Sequence, residues 1–238
     1  MIKFKEIYKL YFKKSPVTIT LITINTIMFL VTIITGGFSA ENLASLGGLV
    51  PAFITEKNEY HRLLFPMFLH GGFFHYFMNS YFLFYIGSFV EKIFGSYKYS
   101  IIYLLSGIGS SILVWQLGDP YTLTIGASGA LYGIMGTLLL LTFTRSNWFP
   151  LPTIKRIRTL TIINIVFTFL VPNISIYGHL GGLVAGVILA LILTPKHPNF
   201  FNNNYNNYYQ YNNYQNQDNV FDYKDVVDDD DDDLFKRN

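Results

Sequence analysis

Residues 176–193 read IYGHLGGLVAGVILALIL. The stretch holds no acidic or basic residue apart from one histidine, and its length is close to the roughly 20 apolar residues that carry a helix across a bilayer. Gly178, Gly182, Gly186 and Ala190 recur every four residues. That spacing places small groups on one helix face, where a second membrane helix can approach closely. His179 stands beside this face, near the start of the segment. A polar residue inside an apolar span is costly to bury and marks a functional site. The stretch therefore calls for a partner helix with a matching small face and for a chemical use of the imidazole.

Residues 128–144, SGALYGIMGTLLLLTFT, supply the partner: Gly129, Gly133 and Gly136 form its small face. Further apolar segments lie on both sides. The sequence predicts spans at 16–35, 73–94, 99–117, 128–144, 157–172 and 176–193. The fourth is short and opens inside the turn Gly126-Ala127-Ser128-Gly129. The fifth is short too, and draws on Ile154 to Ile157 while Lys155, Arg156 and Arg158 snorkel to the headgroups. Composition agrees, with 51% apolar and 13% charged residues, the latter about half of the quarter usual in soluble domains. The expected fold is an all-α membrane protein, a bundle of six transmembrane helices. The absence of cysteine excludes disulfides, thiolate catalysis and cysteine-ligated metals. The run from Val17 to Thr35 is too long for a signal-peptide core and lacks a small-residue cleavage site, so it reads as a retained helix.

Lysine and arginine set the orientation. Lys3, Lys5, Lys9, Lys13 and Lys14 precede the first span, Lys92 and Lys98 follow the second, and Arg145, Lys155, Arg156 and Arg158 follow the fourth. The opposite side has Lys57 and Arg62. A multi-pass protein of the cell membrane with both termini cytoplasmic is expected. Residues 1–15 form a basic cytoplasmic segment, 16–194 the helical core, and 195–238 a disordered tail rich in Asn and Tyr that ends with six aspartates at Asp228–Asp233. The net charge of +2 averages this basic start with the acidic finish and points to no nucleic-acid partner. Residues 36–72 are too long for a simple connector, apolar, and broken by Gly47, Gly48, Pro51 and Pro66. They read as short helices in the outer interface.

On this topology the second, fourth and sixth spans all run inward from the outer side. His75 and Asn79 lie in the first turns of the second, Ser128 opens the fourth, and His179 sits in the first turn of the sixth. Three helices thus place polar groups at one depth. A serine hydroxyl becomes a useful nucleophile when a neutral histidine accepts its proton. His75 and Asn79, four residues apart, share a helix face and can both serve a developing oxyanion. Glu91 lies at the inner end of the second span, so no carboxylate reaches the base. A Ser128–His179 dyad is expected, with the Tyr132 ring, one turn after Ser128, packed against the imidazole. Blander readings exist: a serine in such a turn is commonly a helix cap, and a membrane histidine can be interhelical glue. His61 and His70 read as structural or solvated residues of the interface.

The motifs carry a resemblance. His61-Arg62-Leu63-Leu64, Phe68-Leu69-His70, then His75 and Asn79, Gly87, Glu91 and Gly95, Gly126-Ala127-Ser128-Gly129 with Tyr132, and Gly178-His179-Leu180-Gly181-Gly182 occur in order. Across roughly residues 16–194 the chain resembles the rhomboid family of intramembrane serine proteases. The resemblance implies a six-helix rhomboid-like bundle with an interfacial loop between the first two helices. It implies Ser128 as nucleophile, His179 as base and His75 and Asn79 at the oxyanion, with Tyr132, Gly126, Gly129, Gly182, Arg62 and Glu91 in support. It implies neither metal nor cofactor, and transmembrane protein substrates met within the lipid bilayer. His61 stands where the family usually has Trp, and Gly178 where it often has Ala. The main alternative is an inactive rhomboid-like membrane chaperone or scaffold. A metal protein built on His70, His75 and His179 lacks a nearby carboxylate and any His-Glu-x-x-His helix, and a transporter would show an internal repeat.

Overall fold

The computed structural model describes residues 14–172 and 174–199. The basic segment up to Lys13, Asn173 of the expected outward turn, and the tail from residue 200 lie outside the described residues, as do the expectations made for them. Among the described residues the chain is helical, with one isolated antiparallel bridge, Leu49 to Thr124. Helix α1 spans Pro16–Thr35; α2, Ala40–Ser45, and α3, Pro51–Lys57, follow it, with 3-10 turns at Tyr60–Leu63 and Phe65–Phe68. Next come α4, Phe73–Phe82, a π turn at Leu83–Gly87, α5, Ser88–Phe94, and α6, Ser96–Leu117. The last three helices are α7, Ser128–Thr144, α8, Leu151–Leu170, and α9, Ile176–Leu193. By length and apolar composition α1, α6 and α9 suffice to cross a membrane, whereas α7 is apolar but shorter.

The boundaries differ from the sequence reading in three places. The third long helix begins at Ser96, directly after Gly95, rather than at 99. The fifth runs Leu151–Leu170 rather than 157–172. Pro152 in its first turn presets a helical φ where its missing N–H costs nothing. Val171, ahead of Pro172, is already extended, as the residue before a proline prefers. The second is two α-helices joined through the π turn.

Buried polar groups fasten the ends of the bundle. Ser15 does not cap α1 with its side chain. The Glu91 carboxylate, 2% exposed, takes that role from α5. It accepts from Val17 N at 2.9 Å, Thr18 N at 2.8 Å, Thr18 Oγ1 at 2.8 Å and Ser96 Oγ at 2.7 Å. The first-turn N–H groups of a helix otherwise lack partners, and an anion there also meets the positive end of the helix dipole. At the other end, Arg62 is buried and donates from Nη1 to the Ala44 and Gly48 carbonyls, 2.6 Å each, with Nε on Glu59. It thereby ties the 36–72 segment into one piece. That segment packs on the loop before α7: Leu49 and Thr124 exchange backbone bonds, Ala52 N donates to Pro120 O, and Gly126 N donates to Pro66 O at 2.9 Å.

The seam between α7 and α9 is a stack of glycines. A Cβ at Gly182 of α9 would fall inside the Gly129 carbonyl of α7, and one at Gly186 inside that of Gly133. Thr137 Oγ1 donates to the Gly186 carbonyl across the same seam. Helix α6 joins from the other side, with Gly109 against Ala185 and Ser106 and Ser110 filling the space beside Gly133 and Gly129.

Candidate active site

Gly126 sets the approach to α7. Its φ of +125° is a backbone conformation that L side chains rarely adopt. A Cβ there would lie 2.7 Å from His75 Nε2 and 3.7 Å from Ser128 Oγ. The missing side chain therefore leaves a small space walled by both groups. Ala127 occupies the cap position of α7 and no side-chain oxygen caps the helix. Ser128, the first helical residue, thus keeps its hydroxyl for another partner. Across the glycine seam, Ser175 caps α9, its Oγ accepting from Gly178 N at 3.1 Å, while His179 N donates to Ser175 O at 3.0 Å. This turn aims the His179 ring at α7, and its Nε2 lies 2.9 Å from Ser128 Oγ.

The imidazole, buried along with Asn79, is held on two further sides. The Tyr132 ring stacks on it at 3.9 Å between centroids and 18° between planes. Thr168 Oγ1, on α8, lies 2.9 Å from Nδ1. Tyr132 Oη in turn donates to Asn164 O at 2.6 Å and lies 2.6 Å from Thr168 Oγ1. On α4, Asn79 Nδ2 donates one hydrogen to the His75 carbonyl at 2.8 Å, which leaves its second N–H uncommitted to that bond. His75 Nδ1 accepts from Gly71 N at 3.4 Å. That bond favours the tautomer with a proton on Nε2, the nitrogen beside Gly126.

His61 is exposed and stands edge-on to Phe65. His70 is not a solvated interface residue: it is fully buried, its ring 5.2 Å from that of His75. Burial first, and His75 second, pull its pKa down to about 3. Its neighbours in sequence, Leu69 and the following glycines, gave no sign of this; the rings it meets, His75 and Tyr76, lie on α4. Glu91 and Arg62 stand apart as anchors of α1 and of the 36–72 segment, while Gly126, Gly129 and Gly182 line or frame the Ser128 turn. Thr168, Asn164 and Ser175 drew no attention in the sequence. Thr and Asn in a helix commonly bond their own backbone one turn back, and Thr168 and Asn164 both do so. A small cavity lined by Ser110, Ser111, Thr124 and Gly126 adjoins the turn. Among the described residues no group of three or more His, Cys, Asp or Glu is arranged to hold a metal ion.

A hydroxyl on a histidine, with donors close by and no carboxylate on the imidazole, is an arrangement suited to acyl transfer. The Rhomboid domain family model matches residues 57–196. Rhomboid protease GluP of Bacillus subtilis (strain 168) is 35% identical over 181 residues, covering 76% of this chain and 35% of that protein. RHOMBOID-like protein 1 of Arabidopsis thaliana is 30% identical over 177 residues, 71% of this chain and 44% of that protein. Putative rhomboid protease YdcA of Bacillus subtilis is 30% identical over 140 residues, covering 59% and 70%. The chain thus spans less than half the length of GluP and of RHOMBOID-like protein 1.

Proposed function

The chain belongs to the rhomboid family, and from that premise we propose that it is an intramembrane serine endopeptidase working through a Ser128–His179 dyad. The observation that carries the reading is the 2.9 Å approach of His179 Nε2 to Ser128 Oγ across the glycine seam. In the first step Nε2 takes the hydroxyl proton as Oγ attacks the scissile carbonyl. The carbonyl oxygen becomes an oxyanion, stabilised by the N-terminal N–H groups of α7, by the Nε2–H of His75 and by the remaining Nδ2–H of Asn79. The positive end of the α7 dipole adds to this field. Protonated His179 then gives its proton to the departing amine, and a water attacks the acyl-enzyme with the same histidine as base. The small cavity beside Gly126, where Ser110, Ser111 and Thr124 offer hydroxyls among apolar residues, supports a supply of that water.

The substrates are transmembrane segments of other proteins, reached laterally in the bilayer. On this reading the site lies toward the outer side of a six-span bundle, and both termini lie in the cytoplasm of a cell whose plasma membrane holds the protein. The charge asymmetry of the loops supports this orientation, and a reporter fused after Asn238 should behave as cytoplasmic; an external signal would invert the assignment.

The chemistry is tested by covalent labelling with a serine-directed phosphonate and by cleavage of a reference transmembrane substrate in detergent. Wild-type protein should label at Ser128 and cleave, while Ser128→Ala and His179→Ala should do neither. Because the two residues act as a unit, the double variant should be no worse than either single one. Wild-type protein that neither labels nor cleaves would favour the scaffold reading.

A further inference from the structure

The dyad has no carboxylate behind the histidine, yet something must decide which imidazole nitrogen carries the proton. If Nε2 is to accept from Ser128, the proton belongs on Nδ1, and Nδ1–H then needs an acceptor. The group in that position is the Thr168 hydroxyl, 2.9 Å away and 2% exposed.

A hydroxyl has one hydrogen and two lone pairs, so it can either donate to a bare nitrogen or accept from N–H. Its neighbours break the tie. Thr168 Oγ1 lies 3.0 Å from the Asn164 carbonyl, one helical turn back. Tyr132 Oη, 2.6 Å from Thr168 Oγ1, spends its own hydrogen on the same carbonyl at 2.6 Å. That carbonyl also takes the helical N–H of Thr168, so the two hydroxyl hydrogens are held among it and the two hydroxyl oxygens, which lie 2.6 Å apart. With its hydrogen committed there, Thr168 presents only lone pairs to His179. The opposite tautomer would pull that hydrogen away from Asn164 O and leave Nε2–H pointing at a hydroxyl it could no longer deprotonate.

We infer that Thr168 is the positioning residue of the dyad: its hydroxyl, fixed by Asn164 O and Tyr132, holds His179 in the Nδ1–H tautomer and aims Nε2 at Ser128. This rests on the protease reading above. The role is the one an aspartate fills in a Ser-His-Asp triad, performed by a neutral oxygen. The oxygen also remains an acceptor for Nδ1–H while the imidazole is charged during the reaction.

The test compares wild type, Thr168→Val, which keeps the branched shape and loses the hydroxyl, and Thr168→Ser, which keeps the hydroxyl, in the full chain, with Ser128→Ala as control. Thr168→Val should lower kcat and the phosphonate labelling rate about 10- to 100-fold, the range for an unpartnered buried donor. KM for the reference substrate should stay within about threefold, and Thr168→Ser should restore most of the rate. Nitrogen-15 NMR of histidine-labelled wild type should find the His179 proton on Nδ1, and Thr168→Val should populate the other tautomer. A wild-type proton on Nε2 would overturn the inference without any variant. So would a Val variant at the wild-type rate, or Val and Ser variants equally impaired. Labelling that persists in Ser128→Ala would instead overturn the protease reading itself.

Discussion

Gly182→Ala tests whether the glycine seam exists for the chemistry or only for packing. An added Cβ would sit 2.7 Å from the Gly129 carbonyl carbon and inside its oxygen. Carbon atoms in contact rest about 3.5–4.0 Å apart, so α7 and α9 must part by about 1 Å. Both partners of that contact are backbone, and no rotamer can relieve it. Gly129 follows Ser128 and Gly182 lies one turn after His179, so the opening is transmitted almost directly to the pair. The 2.9 Å bond would lengthen to roughly 3.9 Å, outside hydrogen-bond range. Misplacement of a reacting group by about 1 Å costs on the order of 100-fold in rate, or about 2.7 kcal/mol. Gly186→Ala makes the same overlap with Gly133, but a further turn from the site. It should cost comparable stability through overpacking, about 1–3 kcal/mol, and a smaller share of the rate. The assay is phosphonate labelling rate beside thermal unfolding for both variants. Folded Gly182→Ala labelling within a few-fold of wild type, or both variants losing rate only in proportion to stability, would refute the geometric argument.

Three more outcomes follow from the contacts. His75→Ala and Asn79→Ala each remove one of several oxyanion donors, so both should still label Ser128, about 100- to 1000-fold more slowly, whereas His179→Ala should not label; the reverse order would exchange the base and the donor. Glu91→Ala strands four donors that now meet one carboxylate and should lower stability by about 3 kcal/mol, read as a fall in Tm of roughly 10 °C. His70 is held neutral in the folded protein, with its pKa near 3, while the unfolded chain takes up a proton below about pH 6.5. Its depressed pKa therefore makes stability fall with acidification, by about 2 kcal/mol between pH 6.5 and 5, and Tm against pH should be flatter in His70→Gln.

Long helices occupy the places the sequence marked because spans announce themselves by composition: a run such as 176–193 has no soluble alternative. Their ends are harder. At Leu151 the polar, basic first turns hid the start of a helix: Lys155 and Arg156 are exposed, while Arg158 is half-buried and donates to Thr142 of α7, and apolarity alone began the segment six residues late. The π turn at Leu83–Gly87 has no local signature in the sequence. The small faces of α7 and α9 were readable from period alone, whereas the part of α6 in the same core was not. Ser106 and Ser110 are small in this packing without being glycine.

The site divides along the same line. Ser128, His179, His75 and Asn79 stand out because each is polar, near a helix start, and expensive to bury there. Thr168 is as closely involved with the histidine as Ser128 is, yet it is invisible, since a threonine in an apolar helix satisfies its hydroxyl on its own backbone and costs little. Only the approach of α8 to α7, which brings Tyr132 under the same carbonyl, turns that ordinary bond into a fixed acceptor for His179. Helix α8 buries few of its residues, Ile154, Thr161 and Thr168. The acceptor proposed to orient His179 therefore sits on one of three buried positions of α8, and on that proposal a displacement of α8 that breaks the Nδ1 contact should disable the chemistry without touching Ser128.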